Sequence, residues 1–319
     1  MKRTMCGILL ATCGLAQFAG ADITQTNAYK VELRNFNDYP SSIILSTTTG
    51  TSSAHINETM NPIGTNDPQK FANRHFAMFS SDGGANRLAL QNRQPFHISH
   101  QMLMASNIDF GVGGLFPQQP EGGIFFGNDR GGGFIDEGGI FVVGNGTVFV
   151  GGANQNFSLI GDHNNGTDAF SKGNLLHMDY RYYPPGIKGS EAAYKVTFDN
   201  MTTGFHKEVS NTFDSNNGDA NGFNNGSWVA FRWQHTRNPT VVTVNDITYS
   251  GIAISSCPAD LNGDDMVDDS DFQLFVAPYN ALLCPNSPAP CNADLNGDGF
   301  VDDADFQIFV PAYNQLLCD

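Results

Sequence analysis

The sequence predicts a mainly β protein, an antiparallel sandwich followed by a small α-helical module, and three observations carry that reading. Of 32 acidic residues in the 319-residue chain only six are Glu, while Gly reaches 35 and Asn and Thr are frequent. That composition weighs against long surface helices and favours strands and turns. Short runs of alternating apolar and polar residues recur up to about residue 255 with no helical periodicity between them. Beyond residue 256 the composition changes: residues 257–319 hold twelve Asp and no Glu, Lys or Arg, so twelve of the sixteen net negative charges sit there. A cationic ligand is expected at that end. The acidic excess makes nucleic acid a poor partner, and 40% apolar content excludes a disordered chain.

Taken in order, Met1 to Ala21 has Lys2 and Arg3, an apolar stretch from Ile8 to Ala16, and Ala19-Gly20-Ala21 before Asp22. This is the layout of a secretory signal peptide, with small residues where the peptidase cleaves. The apolar stretch is too short and too interrupted for a membrane span, and no later segment could serve as one. The mature chain is therefore expected to be extracellular or at the cell surface. Leu10-Ala11-Thr12-Cys13 offers a lipoprotein signal as a minor alternative.

Asp22 to Ser255 forms the sandwich domain. Strands are expected at Tyr29–Leu33, Ser42–Ser46, His75–Phe79, Phe96–Met104, Ile140–Val143, Val148–Val150, Tyr194–Phe198, Trp228–Trp233 and Val241–Tyr249, separated by turn clusters such as Asn164-Asn165-Gly166. The fifteen Gly of residues 111–152 read as bulges and tight hairpins. The length suits a jelly roll, and Val241–Tyr249 resembles the last strand of concanavalin A-like sandwiches.

Catalytic motifs are sparse. The E-x-D-x-E run of laminarinase-like sandwiches, G-x-S-x-G and H-E-x-x-H are all absent. Asp136 and Glu137 fall on opposite strand faces and cannot form a glycosidase pair with each other, although either could pair with a distant acid. His97 and His100 likewise face opposite ways. Asp162 to Asp168 could line a calcium site or be an ordinary turn. Trp228, Trp233, Tyr180, Tyr182 and Tyr183 could stack on sugar rings, but their alternation reads more simply as core packing. The sandwich is read as a carbohydrate-binding or structural surface domain. The alternative is a polysaccharide-degrading enzyme, a glycoside hydrolase or lyase.

Residues 257–319 contain a repeat with a period of 34 residues, each unit reading D-x-N-x-D-[GD]-x-V-D-x-x-D. Oxygen donors at loop positions 1, 3, 5, 9 and 12, with a backbone carbonyl at 7, suit a hard cation of calcium's size. Two Ca2+ ions are expected. The first loop, 260–271, offers Asp260, Asn262, Asp264, the Met266 carbonyl, Asp268 and Asp271. The second, 294–305, offers Asp294, Asn296, Asp298, the Phe300 carbonyl, Asp302 and Asp305. Asp265 stands where the turn wants Gly, so the first loop is expected to bind more weakly. Val267 and Val301 should point into a small core. Phe272, Leu274 and Phe275, with Phe306, Ile308 and Phe309, should supply the apolar part of the helices, which Pro278 and Pro311 should shorten. Four cysteines remain after the signal: Cys257, Cys284, Cys291 and Cys318. Equal spacings favour Cys257–Cys284 and Cys291–Cys318 bridges, with two other connectivities open. With no CxxC and no His nearby, zinc is disfavoured.

Two such loops, each followed by a helix and lacking the entering helix of an EF-hand, resemble the type I dockerin family over residues 257–319. The resemblance implies a calcium-dependent module that binds a cohesin and tethers a secreted protein to a scaffold or cell surface. It places partner-binding candidates at Asp269, Ser270, Asp303 and Ala304, where the family often has Ser-Thr. The basic residues usual in the following helix are missing, so a cohesin-like or other surface receptor is expected rather than a standard cohesin. The Ser255-Ser256 linker is nearly absent, which should hold the module close to the sandwich.

Overall fold

The computed structural model describes residues 28–37, 41–47, 53–60, 72–80, 86–90, 95–105, 120–128, 135–152, 155–213, 222–223, 226–236, 243–255, 257–264, 266–282, 292–296 and 298–316. The signal-peptide reading, Asp265, Cys284, Cys291 and Cys318 lie outside them. The described strands are β1 (Ala28–Asn37), β2 (Ser41–Thr47), β3 (Ala54–Met60), β4 (Ala72–Ser80), β5 (Phe96–Met104), β6 (Pro120–Asn128) and β7 (Ile135–Val143), then β8 (Val148–Gly151), β9 (Ser158–Gly161), β10 (Leu175–Tyr183), β11 (Ala193–Asn200), β12 (His206–Thr212), β13 (Trp228–Thr236) and β14 (Thr243–Ser255). They form two seven-stranded antiparallel sheets, β1-β4-β13-β6-β7-β8-β9 and β12-β11-β10-β5-β14-β3-β2.

Alternation decides which face is inside. In β5, Phe96, Ile98, His100, Met102 and Met104 are buried while the residues between them are half-exposed. The same period runs along β11. The two inner faces share one core containing Phe79, Ile98, Phe126, Tyr180, Tyr194, Phe198, Phe231 and Tyr249. Burial without a solvent face marks β6, whose first eight residues are all covered. On β13, Val229, Phe231 and Trp233 join the main core, while Trp228 and Ala230 join a second cluster with Phe76, Met78 and Phe125 on the opposite face.

The glycine-rich stretch is more regular than expected. It contains β6 and β7, with the anticipated bulge between Phe126 and Gly127. A Cβ on Gly122 would lie 2.4 Å from Met102 Cε and 2.7 Å from the Tyr249 hydroxyl, so glycine here opens the way for Tyr249 to cross between the sheets. That hydroxyl donates to the Arg232 carbonyl at 2.6 Å and accepts from Gly123 N at 2.7 Å. Strands β3, β6, β9, β10 and β12 have no counterpart among the expected segments.

The last strand runs to Ser255, and the module's first turn begins at Pro258. Helices α1 (Asp269–Ala281) and α2 (Asp303–Gln315) follow the two acidic loops. Pro278 and Pro311 do not cut them short, contrary to expectation; both sit inside helix. Each proline frees a carbonyl four residues back, on exposed Leu274 and exposed Gln307, where water can satisfy it. Of the six apolar helix residues named from sequence, Phe275 and Phe309 are buried, with rings stacked 4.9 Å apart. Phe272, Leu274 and Phe306 remain exposed, at 39%, 49% and 37%. Val267 and Val301 are fully buried between the loops, as expected, with Ala259, Leu261, Ala293 and Leu295.

Candidate metal centre

The first loop gathers its carboxylates. Asp260, Asp264 and Asp271 each bring an oxygen to within 4.8 Å of the others, and no second such group occurs among the described residues. Asp260 is 5% exposed and Asp271 fully buried. Backbone donors hold them in place: Asp260 Oδ1 accepts from Gly263 N at 2.6 Å and Asp264 N at 3.0 Å, and Asp271 accepts from Asn262 N and Asp268 N, both at 3.0 Å. Burial pushes the Asp260 carboxyl up to about 6 against the pull of those N–H groups, and neighbouring Asp271 and Asp264 add to the rise. Asp271 is raised for the same first reason, burial.

Asp260, Asp264 and Asp271 crowd three negative charges into a partly dry pocket. The Oδ1 of Asn262 is buried there with no hydrogen-bond donor, while its Nδ2 donates to Asp264 at 3.0 Å. An orphaned amide oxygen beside gathered carboxylates makes an all-oxygen donor set of the kind a hard cation takes. Asp260, Asn262, Asp264 and Asp271 would hold the ion, whose charge would offset their mutual repulsion. Met266 turns the chain by donating its N–H to Asp264 Oδ1 at 3.0 Å.

Asp268 does something else. Its side chain caps α1, accepting from Ser270 N at 2.7 Å in a capping box with Asp271. Asp302 repeats this on Ala304 N at 2.8 Å with Asp305. The position-9 acids therefore serve the helix starts and stand outside the gathered trio.

The second loop has the same frame with its side chains turned on its own amides. Asp294 accepts from Asp298 N and Gly299 N, Asn296 Oδ1 from Asp298 N, and Asp298 Oδ1 from Phe300 N, at 2.8–3.1 Å. Asp305, fully buried, accepts from Leu295 N at 2.7 Å, Asn296 N at 3.1 Å and Asp302 N at 2.9 Å. The more closely gathered loop is thus the one that departs from the repeat pattern.

Asp269, Ser270, Asp303 and Ala304 are exposed at the first turns of the helices. Asp269 and Asp303 are engaged within the module: the Tyr313 hydroxyl donates to Asp269, and the Tyr279 hydroxyl donates to Asp303. Sequence reading missed these tyrosines, although both recur at the 34-residue period.

The sandwich places its candidates differently. Trp228, Trp233, Tyr180 and Tyr182 are core residues, at most 2% exposed, and Tyr183 is 7% exposed. None presents a free ring for a sugar. Glu137 is buried and accepts from Ser227 Oγ. His97 faces outward to Asp179, whereas His100 is buried against Phe231 and Tyr249. Asp162 to Asp168 closes on itself: Asp162 caps a short 3-10 turn, and His163 Nδ1 lies 2.9 Å from Asp168 Oδ1. A polar cluster unforeseen from sequence lies on the outward face of the first sheet. There Arg74 and Arg232 converge on Gln234 Oε1, and Arg232 Nη2 is 2.9 Å from Glu121 Oε2. Arg232 lies opposite Gly123 across β6, which lets its guanidinium reach the rings of Phe125 and Phe141.

The family model for the dockerin type I domain matches residues 258–310. No curated protein matches the chain. Solved structures similar to the sandwich include a marine alginate lyase from Aplysia kurodai, at 9% identity and TM-score 0.38, covering 73% of this chain and 100% of that one. A family 7 alginate lyase bound to substrate is similar at 11% identity and TM-score 0.41, covering 72% and 93%. Peanut lectin is similar at 9% identity and TM-score 0.35, covering 72% and 96%. Scores below 0.5 lend no weight to any ligand or reaction. The duplicated acidic loops, the capped helices that follow them and the family match agree: over residues 258–310 the chain carries a module of the dockerin type I family.

Proposed function

We propose that the protein is a secreted, calcium-dependent attachment protein, in which residues 257–319 fasten a β-sandwich, residues 22–255, to a cohesin-like surface receptor. The observation that carries this reading is the gathered Asp260, Asp264 and Asp271 with the orphaned Asn262 oxygen, inside a dockerin type I match. Two ions are proposed, one per loop, the second held by Asp294, Asn296, Asp298 and Asp305. Met266 and Phe300 carbonyls, with Asp268 and Asp302 from the outer side, complete the proposed sets. Export through residues 1–21 would place the four remaining cysteines in an oxidising compartment, where Cys257–Cys284 and Cys291–Cys318 bridges would brace each repeat. Half-buried Cys257, packed on the module core, suits that role.

Calorimetric titration of the purified full chain with Ca2+ tests the reading: two sites are expected, Asp260→Ala removing one and Asp294→Ala the other. Absence of calcium uptake would end it. Capture on immobilised cohesins in calcium but not in chelator is the functional counterpart.

One observation favours a second reading, that the sandwich acts on polysaccharide. Arg232, 3% exposed on the outward face of the first sheet, pairs with Glu121 through Nη2, while its Nε and Nη1 have no hydrogen-bond partner among the described residues. Such donors suit an acidic sugar. A polysaccharide array read for both retention and turnover separates binding from degradation; Arg232→Ala should abolish whichever is found.

A further inference from the structure

The two acidic loops, alike in sequence, differ in surroundings. In the second, Gly299 at loop position 6 has nothing among the described residues within 4 Å of where a Cβ would stand. The first is met by the sandwich on one side, at Asn262 and Gly263, while Asp264 and Met266 stay exposed. After β10 the chain makes a tight turn, Pro184 to Gly189, closed by Gly186 N donating to the Gly189 carbonyl at 2.7 Å. Pro184 and Pro185 are buried at its base. From this turn Lys188 Nζ donates to the Asn262 carbonyl at 3.1 Å, and the same ammonium lies 5.1 Å from the Tyr183 ring centre. Gly263 has φ +72°, and a Cβ there would meet Ile187 Cγ2 at 2.7 Å and Lys188 Cε at 2.8 Å. Only glycine permits both that backbone conformation and that approach. On the same turn, a Cβ on Gly186 would lie 3.1 Å from Asn292 Nδ2, the residue just before the second repeat's Ala293.

We propose that the Pro184–Gly189 turn is a built-in seat for the first acidic loop, so that calcium uptake at residues 260–271 locks module and sandwich into one body and leaves the second loop and its helix free for an outside partner. The inference rests on reading residues 260–271 as a calcium loop. Its physics is direct. Ile187 and Lys188 rest on Gly263 and on the Asn262 carbonyl, a surface that exists only while the loop is curled. Without a cation the carboxylates at 260, 264, 268 and 271 repel, the loop opens and the seat loses its occupant. With a cation the loop closes and the Lys188 ammonium gains its carbonyl acceptor. The duplicated module thereby becomes asymmetric: one repeat faces inward and the other outward.

The test uses the full chain and the reactivity of its lysines toward an amine-acylating reagent, read by mass spectrometry, alongside calcium calorimetry. Lys188, exposed but held by the Asn262 carbonyl, should be labelled at least threefold more slowly in calcium than in chelator, while Lys207 on β12, also exposed, should be labelled at the same rate in both. Ile187→Asp, on the surface of the turn, should lift the loop away, so that Lys188 in calcium reacts at its chelator rate while the melting of the sandwich is unchanged. If Lys188 reacts equally in calcium and chelator although calorimetry shows the first site filled, the seat is refuted and the calcium assignment stands. If no calcium is taken up at residues 260–271, both fall together.

Discussion

The buried imidazole of His100 makes the sandwich acid-sensitive in a way that can be worked out beforehand. It sits on the inner face of β5 with its ring 5.5 Å from that of Phe231 and 6.0 Å from that of Tyr249, and neither ring nitrogen has a hydrogen-bond partner among the described residues. Burial, helped by the neighbouring His177 and opposed by Asp179, lowers its pKa from 6.5 to about 3. A depressed histidine holds its stability contribution above the unfolded value and loses it as pH falls, so the window runs from 6.5 down to about 3. Between pH 7 and pH 5 the loss is about 2 kcal/mol, approaching a bound of about 5 kcal/mol at the acid end. Both tryptophans, Trp228 and Trp233, lie in the sandwich, so urea unfolding followed by tryptophan fluorescence reports on that domain alone. His100→Leu keeps the apolar packing and removes the titration. Its stability should fall less steeply than wild type between pH 7 and pH 5, by about 1.4 kcal/mol per pH unit below 6. Parallel slopes for the two proteins would refute the assignment.

Three further outcomes are expected. Asp305→Ala strips the acceptor from three backbone N–H groups and should cost about 3 kcal/mol or more in the calcium-loaded module; Asp305→Asn, which keeps one oxygen, should cost less, both read from helical circular dichroism on melting. Asp260, raised to about 6 chiefly by burial, should make calcium compete with a proton, so uptake by the first loop weakens below pH 6 and releases protons in buffer-dependent calorimetry. The same rise favours the folded module below the ordinary Asp value of 3.8 and loses that contribution as pH climbs through about 6, so in chelator helix content should be higher at acid pH than at neutrality. Tyr279 and Tyr313, both raised by the hydrogen-bonded carboxylates of Asp303 and Asp269, should titrate late in alkaline absorbance, and Asp269→Asn should bring Tyr313 alone back toward 10.

Much of the module could be read from residue spacing, because position dictates chemistry in a short loop. Asp260, Asp264 and Asp271, at loop positions 1, 5 and 12, converge as the repeat pattern predicts, and Val267 and Val301 point into the shared core. What spacing could not reveal was the division of labour among the acids. Asp268 and Asp302, alike in spacing to the other acids, also cap helices, since the helix begins at the following residue and its first N–H groups need an acceptor. The prolines misled for a related reason: a helix tolerates one wherever the carbonyl it frees faces water. In the sandwich, regular alternation marked β5 to the residue. Strand β6 escaped because Gly122, Gly123 and Gly127 erase the apolar pattern, and their purpose, admitting Tyr249 and Arg232, depends on partners more than a hundred residues away. A separation of more than seventy residues likewise hid the Pro184–Gly189 turn as a neighbour of Gly263.

The junction between the domains also governs how the molecule would bear a load. β14 lies between β5 and β3 in the interior of its sheet and passes into the module after a single residue. Tension applied through an anchored C-terminus would arrive along the axis of that strand and draw on its ladders to both neighbours at once, sliding them rather than peeling them apart bond by bond. A chain held by its tail in flowing liquid would thus be gripped at one of its mechanically strongest places.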